Sequence, residues 1–375
     1  MNKSKKNAEQ HKNNKKNNPR KSGQNTFSKA STKNDTTQHA TTNTAINGDS
    51  AQPAVLNTAS DCNVTFDRFS QTPANFKSGF VTLIGRPNAG KSTLINAIMG
   101  KKVAITSNTA QTTRHRFRAI HNTENSQIIL VDTPGLHKPH DALGEELNSS
   151  AIKALEDVDV VAMLIDACQP IGTGDAWVAS QLAHINTKKI CVLTKTDICN
   201  KNQIESQRAS ALSLLPNTDH WDAMVGLSSI TGKNVDAFIE EVEYFLPKGP
   251  AWFPRDMDTD QPIEVLIAEF IREKILRDFS QEIPHAIGVQ VEDMDYIPRK
   301  DTYNIFANIY VERSSQKGII IGKGGEAIKK IGTQARLDLQ QLLGCKVFLD
   351  LHVKVKKNWR RDINQIRRFG YGEGM

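Results

Sequence analysis

The chain has 375 residues and a net charge of +7, which is enough length for two ordinary domains, each burying its own core. No apolar run approaches 18 residues and no secretory hydrophobic segment is visible, so no membrane span is expected. Cys62, Cys168, Cys191, Cys199 and Cys345 are scattered, odd in number and without Cys-x-x-Cys spacing, a pattern that fits a reducing cytoplasm and argues against disulfides or a zinc site.

Residues 1–75 are rich in Asn, Ser, Thr, Gln and Lys, with little Leu, Ile or Val. Such a stretch cannot bury enough apolar surface to offset its ordering entropy and reads as a disordered extension. It carries 11 Lys/Arg against 5 Asp/Glu, about +6 of the whole charge, so the remainder is close to neutral. A solubilising or weakly RNA-binding role is expected of it. A mitochondrial transit peptide is the rival reading. It fits poorly, because Lys and Asn dominate, Glu9, Asp35 and Asp49 interrupt, and no apolar helical face is visible.

Order is expected from residue 76. Phe80–Ile84, Gln127–Val131, Val158–Ile165, Lys189–Thr194 and Met224–Ser228 read as strands. Lys91–Met99, Ala142–Leu155, Asp175–Ile185, Asn202–Leu215 and Val235–Phe245 read as helices. The alternation predicts an α/β domain over 76–246, with a mainly parallel sheet and helices on both faces. Pro247, Gly249, Pro250, Pro254 and Pro262 break the pattern, and 247–262 reads as a linker. Over 263–375 the order changes to an α+β domain: a helix at Ile263–Phe279, two alternating strands, a Gly-rich turn, a helix at Glu326–Leu343, and a last strand with Val347, Leu349, Leu351, Val353 and Val355 on one face.

Gly85-Arg86-Pro87-Asn88-Ala89-Gly90-Lys91-Ser92 matches GxxxxGK[ST] between an apolar strand and a helix, the setting a P-loop requires. The glycines let backbone N–H groups wrap phosphates at the helix N-terminus, Lys91 brings a point charge to the β- and γ-phosphates, and Ser92 offers a hydroxyl to Mg²⁺. Asp132-Thr133-Pro134-Gly135 ends a strand about 40 residues later. Asp132 would hold Mg²⁺ through water, and the Gly135 N–H would meet the γ-phosphate. In the polar stretch Ser107–Arg114, Thr113, preferred over Thr112, would complete the magnesium shell when GTP is bound and relax after hydrolysis.

A P-loop does not distinguish ATP from GTP. Thr194-Lys195-Thr196-Asp197 does so better, because Asp197 can accept from guanine N1–H and the 2-amino group, a donor set adenine lacks. The usual form is Asn-Lys-x-Asp. Here Thr194 replaces Asn, and its hydroxyl can still tie the loop to the P-loop backbone while Lys195 covers the base. Leu227-Ser228-Ser229 follows the next strand and could offer N–H to the guanine oxygen.

These elements in this order, with Gln111-Thr112-Thr113-Arg114-His115, Leu136-His137, Thr231–Asp236 and Val353-Lys354-Val355-Lys356, resemble the Era family of bacterial ribosome-assembly GTPases over roughly residues 80–372. Leu136 stands where many small GTPases place a water-orienting Gln, and leucine cannot polarise water. The resemblance implies hydrolysis in which Asn88 helps bind K⁺ beside the phosphates. The expected catalytic set is therefore Asn88, Lys91, Thr113 and Gly135.

Gly322-Lys323-Gly324-Gly325 is a GxxG turn ahead of a helix, through which backbone can approach a single RNA strand. The helix–strand–strand–GxxG–helix–strand order resembles a type II KH domain. Residues 313–368 hold 14 Lys/Arg against 4 Asp/Glu, and Lys329, Lys330 and Arg336, with Lys323, lie nearest the turn. The resemblance implies GTP/GDP, the 3′ end of small-subunit rRNA and the 30S subunit as partners, in a cytoplasmic monomer, with peripheral contact at the inner membrane left open. Rival readings are an RNA-binding module with GTP as a structural ligand, a tandem-G-domain GTPase and a P-loop kinase. A single P-loop disfavours the second and the Thr194–Asp197 loop the third.

Overall fold

β4 (Val160–Asp166) is apolar on both faces, and so is β5 (Lys188–Thr194) beside it. Strands of this kind need cover on two sides, which places them mid-sheet in an α/β layer. In the computed structural model, which describes residues 73–371 except 110–111, 140, 184, 216–218 and 282, they sit in a six-stranded sheet of order β2-β3-β1-β4-β5-β6. The other members are β1 (Lys77–Gly85), β2 (Phe117–Asn122), β3 (Ser126–Asp132) and β6 (Ala223–Gly226). All neighbours pair in parallel except β2 and β3. Most of the expected extension lies outside the described residues, as does Gln111.

Residue parity along a strand decides which face each side chain serves. Val160, Ala162, Leu164, Ile190 and Val192 join a core with α1 (Lys91–Met99) and α5 (Val235–Phe245). Val161, Met163, Ile165, Cys191 and Leu193 join a second core with α3 (Thr173–Ser180) and the ends of α2 (Ala142–Lys153) and α4 (Lys201–Leu212). The segment expected as a linker is a strap. Gln127 Nε2 donates to the Phe253 carbonyl at 2.8 Å, Ile120 N–H to that of Asp258 at 2.8 Å, and Ala119 bridges Thr259.

The strap leads into α6 (Ile263–Asp278), the short α7 (Ile283–Ala286) and a three-stranded sheet, β7 (Gly288–Ile297), β8 (Thr302–Val311) and β9 (Lys346–Val355). β7 and β8 are antiparallel, and β8 and β9 parallel. Ile305, Ala307, Ile309 and Val311 are buried in one core with residues of α6 and α9 (Glu326–Leu343). Four elements lie outside the sequence expectation, the one-turn α7 among them. β2 is short and carries Arg118 and His121; α8 (Ser314–Ile321) ends in three isoleucines that read as easily as strand; α10 (Ile363–Arg368) is a single turn and a half. α6 also departs from a simple amphipathic helix, because Arg272, Glu273 and Lys274 are buried as fully as its apolar face.

Candidate nucleotide site and RNA turn

The P-loop bends where glycine is required. Gly85 has φ +153, and a Cβ there would sit 2.5 Å from the Leu164 carbonyl oxygen. Gly90, at φ +95, caps α1. Gly135 packs its Cα against Pro87, where a Cβ would approach the Pro87 backbone to 2.8 Å. The loop and the strand end after β3 thus meet across one cleft, lined by Pro87, Asn88, Lys91, Ser92, Thr113, Gly135 and Lys195.

Ser92, Thr113 and Asp132 converge there. Ser92 Oγ donates to Asp132 Oδ2 at 2.7 Å, Thr113 Oγ1 lies 3.1 Å from the same oxygen, and the two hydroxyls are 3.0 Å apart. Thr112 turns away, its hydroxyl bonded to the Thr109 carbonyl at 2.6 Å. Asp132 Oδ1 is buried and has no partner among the described residues. Burial pushes this carboxyl up, against the pull of Lys91 and the two hydroxyls. Two hydroxyls and a carboxylate with an open buried oxygen make a hard oxygen set, which fits Mg²⁺. Lys91 is buried, its Nζ 3.5 Å from the Gly85 carbonyl oxygen. Burial lowers its pKa against the opposing charge of Asp132.

The Arg86 guanidinium pairs with Asp175 at 3.0 Å. Asn88 has left-handed backbone (φ 64), and its Nδ2 donates to the Asn108 carbonyl at 2.8 Å. Thr133 Oγ1 donates to the Leu83 carbonyl at 2.7 Å. Leu136 does not face the phosphate side. Its side chain is buried in the second core, and its N–H donates to the Gly85 carbonyl at 3.1 Å.

At the base end, Thr194 Oγ1 lies 2.8 Å from the Ala89 carbonyl oxygen and 3.1 Å from that of Ile165, so its single proton joins the loop to the P-loop or to β4. Lys195 has left-handed backbone (φ 60) and pairs with Asp166 at 2.7 Å. Asp197 is exposed. Of Leu227, Ser228 and Ser229, the first two donate their N–H groups to the Leu193 and Lys233 carbonyls. The expectation against disulfides is corrected here. Cys168 and Cys199 are bonded, with Cα atoms 5.7 Å apart. Sequence spacing hid the pair because β4 and β5 are parallel neighbours whose ends bring distant residues together.

In the second domain Gly322, Gly324 and Gly325 all have φ between 61 and 82, which side-chain-bearing residues rarely adopt. Gly325 caps α9 in the left-handed conformation and, as a glycine, makes no side-chain cap hydrogen bond. Lys323, Lys329 and Arg336 are exposed. Lys330 is committed differently, pairing with Asp278 of α6 at 3.0 Å. Ile319, on α8 just before the turn, is a half-exposed apolar side chain that sequence patterning missed.

The residues between the two sites were also missed. Arg114, buried, donates to the Pro284 carbonyl at 3.1 Å and to that of Ile287. Burial and the neighbouring Arg272 charge pull its pKa down to about 10. Arg272 donates to the Thr112 carbonyl and to Glu269. On α2, Leu143 and Leu147 pack with Trp359, Ile366, Phe369 and Tyr371, and Asp141 pairs with Arg360 at 3.2 Å. Buried charge within a helical pattern, as at Arg272-Glu273-Lys274, was the available signal.

The family model described as a 50S ribosome-binding GTPase matches residues 80–195, and the KH domain model matches 282–360. A protein of Mycobacterium tuberculosis described as GTPase Era is 46% identical over 302 residues, 79% of this chain and 99% of its own. The GTPase Era of Alkaliphilus metalliredigens is 44% identical over 297 residues, with the same coverage. The chain belongs to the Era GTPase family. Among solved structures, Era of Aquifex aeolicus, a single-substitution variant bound to GDP·AlF₄⁻, aligns with TM-score 0.76 and 35% identity, over 80% of this chain and 100% of that one. Era in complex with MgGDPNP and nucleotides 1506–1542 of 16S ribosomal RNA aligns with TM-score 0.75 and 36% identity, with the same coverage. As an Era GTPase the chain pairs a nucleotide-hydrolysing domain with a KH domain.

Proposed function

We propose that this chain is a GTP-hydrolysing switch that binds the 3′ end of small-subunit rRNA through Gly322–Gly325 and assists 30S assembly. One observation carries the switch. Thr113, at the candidate Mg²⁺ site, lies between Thr112, whose carbonyl accepts from Arg272, and Arg114, whose guanidinium donates to the carbonyls of Pro284 and Ile287. Any movement of Thr113 with the γ-phosphate is therefore felt by α6 and α7. Lys102, just after α1, pairs with both Glu273 of α6 and Asp338 of α9, and α9 begins at the RNA turn.

When bound, Mg²⁺ supplies charge neutralisation at the phosphates. Ser92 and Thr113 would ligate it, and Asp132 would orient its shell. Lys91 places its charge on the β- and γ-phosphates, and the Gly135 N–H receives the γ-phosphate. Leu136, turned into the core, cannot orient water. Asn88 Oδ1 remains available when its Nδ2 holds Asn108, which supports a K⁺ site beside the phosphates. Hydrolysis in K⁺ should exceed that in Na⁺; equal rates would reject the site. Asp197, Lys195 and Ser229 hold guanine.

The RNA assignment follows the relative solved with 16S RNA, which aligns over both domains. The 50S description belongs to a family model matching the first domain alone. The reading takes the chain as a cytoplasmic monomer; peripheral contact with the inner membrane stays outside it. Among the described residues no helix is long and apolar enough to cross a membrane. The test is cross-linking to RNA with a GTP analogue against GDP, with sequencing of the bound RNA and a turnover assay with and without it. Enrichment of the 3′ end of small-subunit rRNA in the GTP-analogue state, with turnover, supports the proposal. Equal cross-linking in both states would overturn the switch.

A further inference from the structure

We propose that Cys168 and Cys199 form a thiol–disulfide exchange site that sets how tightly the base loop holds guanine nucleotide. The proposal rests on the reading of Thr194–Asp197 as the base loop. Asp166 and Thr194 are register partners at the ends of β4 and β5. Cys168 follows the first by two residues, and Cys199 follows Asp197 by two. The bond therefore ties the far end of the base loop to the neighbouring strand end. The Cα separation of 5.7 Å lies within ordinary disulfide geometry.

Apart from the bond, the loop is held by Thr194, by Lys195 and by the Thr196 N–H, which donates to the Leu227 carbonyl at 3.2 Å. Thr194 brings one hydroxyl proton where an Asn would bring an amide with two, and Lys195 adds an ion pair to Asp166. Both of these lie N-terminal to Asp197. On its C-terminal side, Thr196–Ile198 make a short 3₁₀ turn with Asp197 and Ile198 exposed. The disulfide closes that side. The Lys195 carbonyl oxygen lies 3.4 Å from Cys168 Sγ and 3.3 Å from Cys199 Sγ, so a thiol on either residue would have an acceptor once the bond opens. Both forms are thus accommodated in one fold. Both cysteines are half-buried, whereas Cys191 is fully buried.

The oxidant is a low-molecular-weight disulfide such as glutathione disulfide. One cysteine thiolate attacks it, forms a mixed disulfide and releases one glutathione thiolate. The second cysteine attacks the protein sulfur of that mixed disulfide, closes the Cys168–Cys199 bond and releases the second. Two electrons pass from the cysteine pair to the small disulfide, and the two cysteine protons end on the released thiols. Closure pre-organises Asp197, so less freedom is lost when guanine binds.

The test uses the full chain, reduced with dithiothreitol or equilibrated with glutathione disulfide. Differential alkylation and peptide mapping locate the bond, and release of fluorescent GDP is timed. The expected result is a Cys168–Cys199 linked peptide in the oxidised sample and GDP release about fivefold slower. Cys168→Ser and Cys199→Ser should each abolish the difference. Wild-type protein alone carries the test, so it does not depend on a variant's folding. Absence of the linked peptide, or a linked peptide with unchanged release, overturns the proposal. Asp197→Asn in reduced protein tests the base loop separately: undiminished guanine affinity there would sink the base-loop reading, whatever the cysteines do.

Discussion

Arg272 donates to the carbonyl oxygen of Thr112, one residue before the hydroxyl that meets Asp132. Arg272 is fully buried and held by Glu269. Replacing it with Met removes the tie and leaves Glu269 short of its main partner. Breaking a buried pair in this way costs about 3 kcal/mol. The expected outcome for Arg272→Met is a lower thermal midpoint, basal hydrolysis retained, and loss of the effect of RNA on turnover. RNA stimulation equal to that of the parent would show that coupling runs elsewhere.

The same interface should weaken in acid in two stages. Burial, with Arg272 adding to it against Glu269, holds His115 below its ordinary 6.5. Burial alone would raise Glu269, but Arg272 overcomes it and holds the carboxyl below 4.5. In both cases the unfolded chain takes up protons first, so stability falls as pH falls. The loss should begin below pH 6.5 for His115, and the Glu269 contribution should go below pH 4.5. Thermal midpoints measured from about pH 7 to about pH 4 check this. His115→Asn should flatten the first stage and leave the second.

Trp359 anchors the C-terminal segment to α2, buried against Leu143 and Leu147 with its Nε1 donating to the Ala286 carbonyl at 3.0 Å. Trp359→Ala should destabilise the chain by about 3–5 kcal/mol, read by denaturant unfolding. A cost near zero would mean that α2 and the C-terminal segment are not packed as described.

Asp197→Asn replaces the acceptor for guanine N1–H and the 2-amino group with a group half donor. A buried mispairing of this kind should weaken GTP by about 100-fold or more, while RNA binding persists. Titration with fluorescent GTP is the measurement.

Gly324→Asp with Gly325→Asp puts two carboxylates and two Cβ atoms where the backbone has φ of 61 and 82. RNA affinity should fall by at least about tenfold, with GTP affinity unchanged. Parallel loss of both affinities would mean that the two sites do not fold independently of that turn.

Much of this is readable in the linear chain because it is local. Gly85–Ser92 carries its own turn chemistry and helix start, and the apolar runs of β4 and β5 require a covered sheet whatever follows. Gly322–Gly325 likewise needs glycine for its own φ values. The family resemblance rests on these pieces and their order. Other features depend on distant partners. Position after Gly135 places Leu136 near the phosphates, yet a leucine goes where apolar surface awaits it, and that is the second core. Lys330 counts with the free cations until Asp278 of α6 comes alongside. α8 escapes because its isoleucines suit strand and helix equally.

By itself the amino-acid order determined the nucleotide loop, the candidate base acceptor Asp197 and the RNA turn, since each depends on residues within a few positions of one another. Only the tertiary structure decided that Cys168 meets Cys199, that Arg114 and Arg272 grip the segment around Thr113, and that the polar face of α6 is an interface. The reason is physical: those contacts join residues 31 to 173 positions apart, and their partners are chosen by sheet order and domain packing rather than by neighbours in the chain.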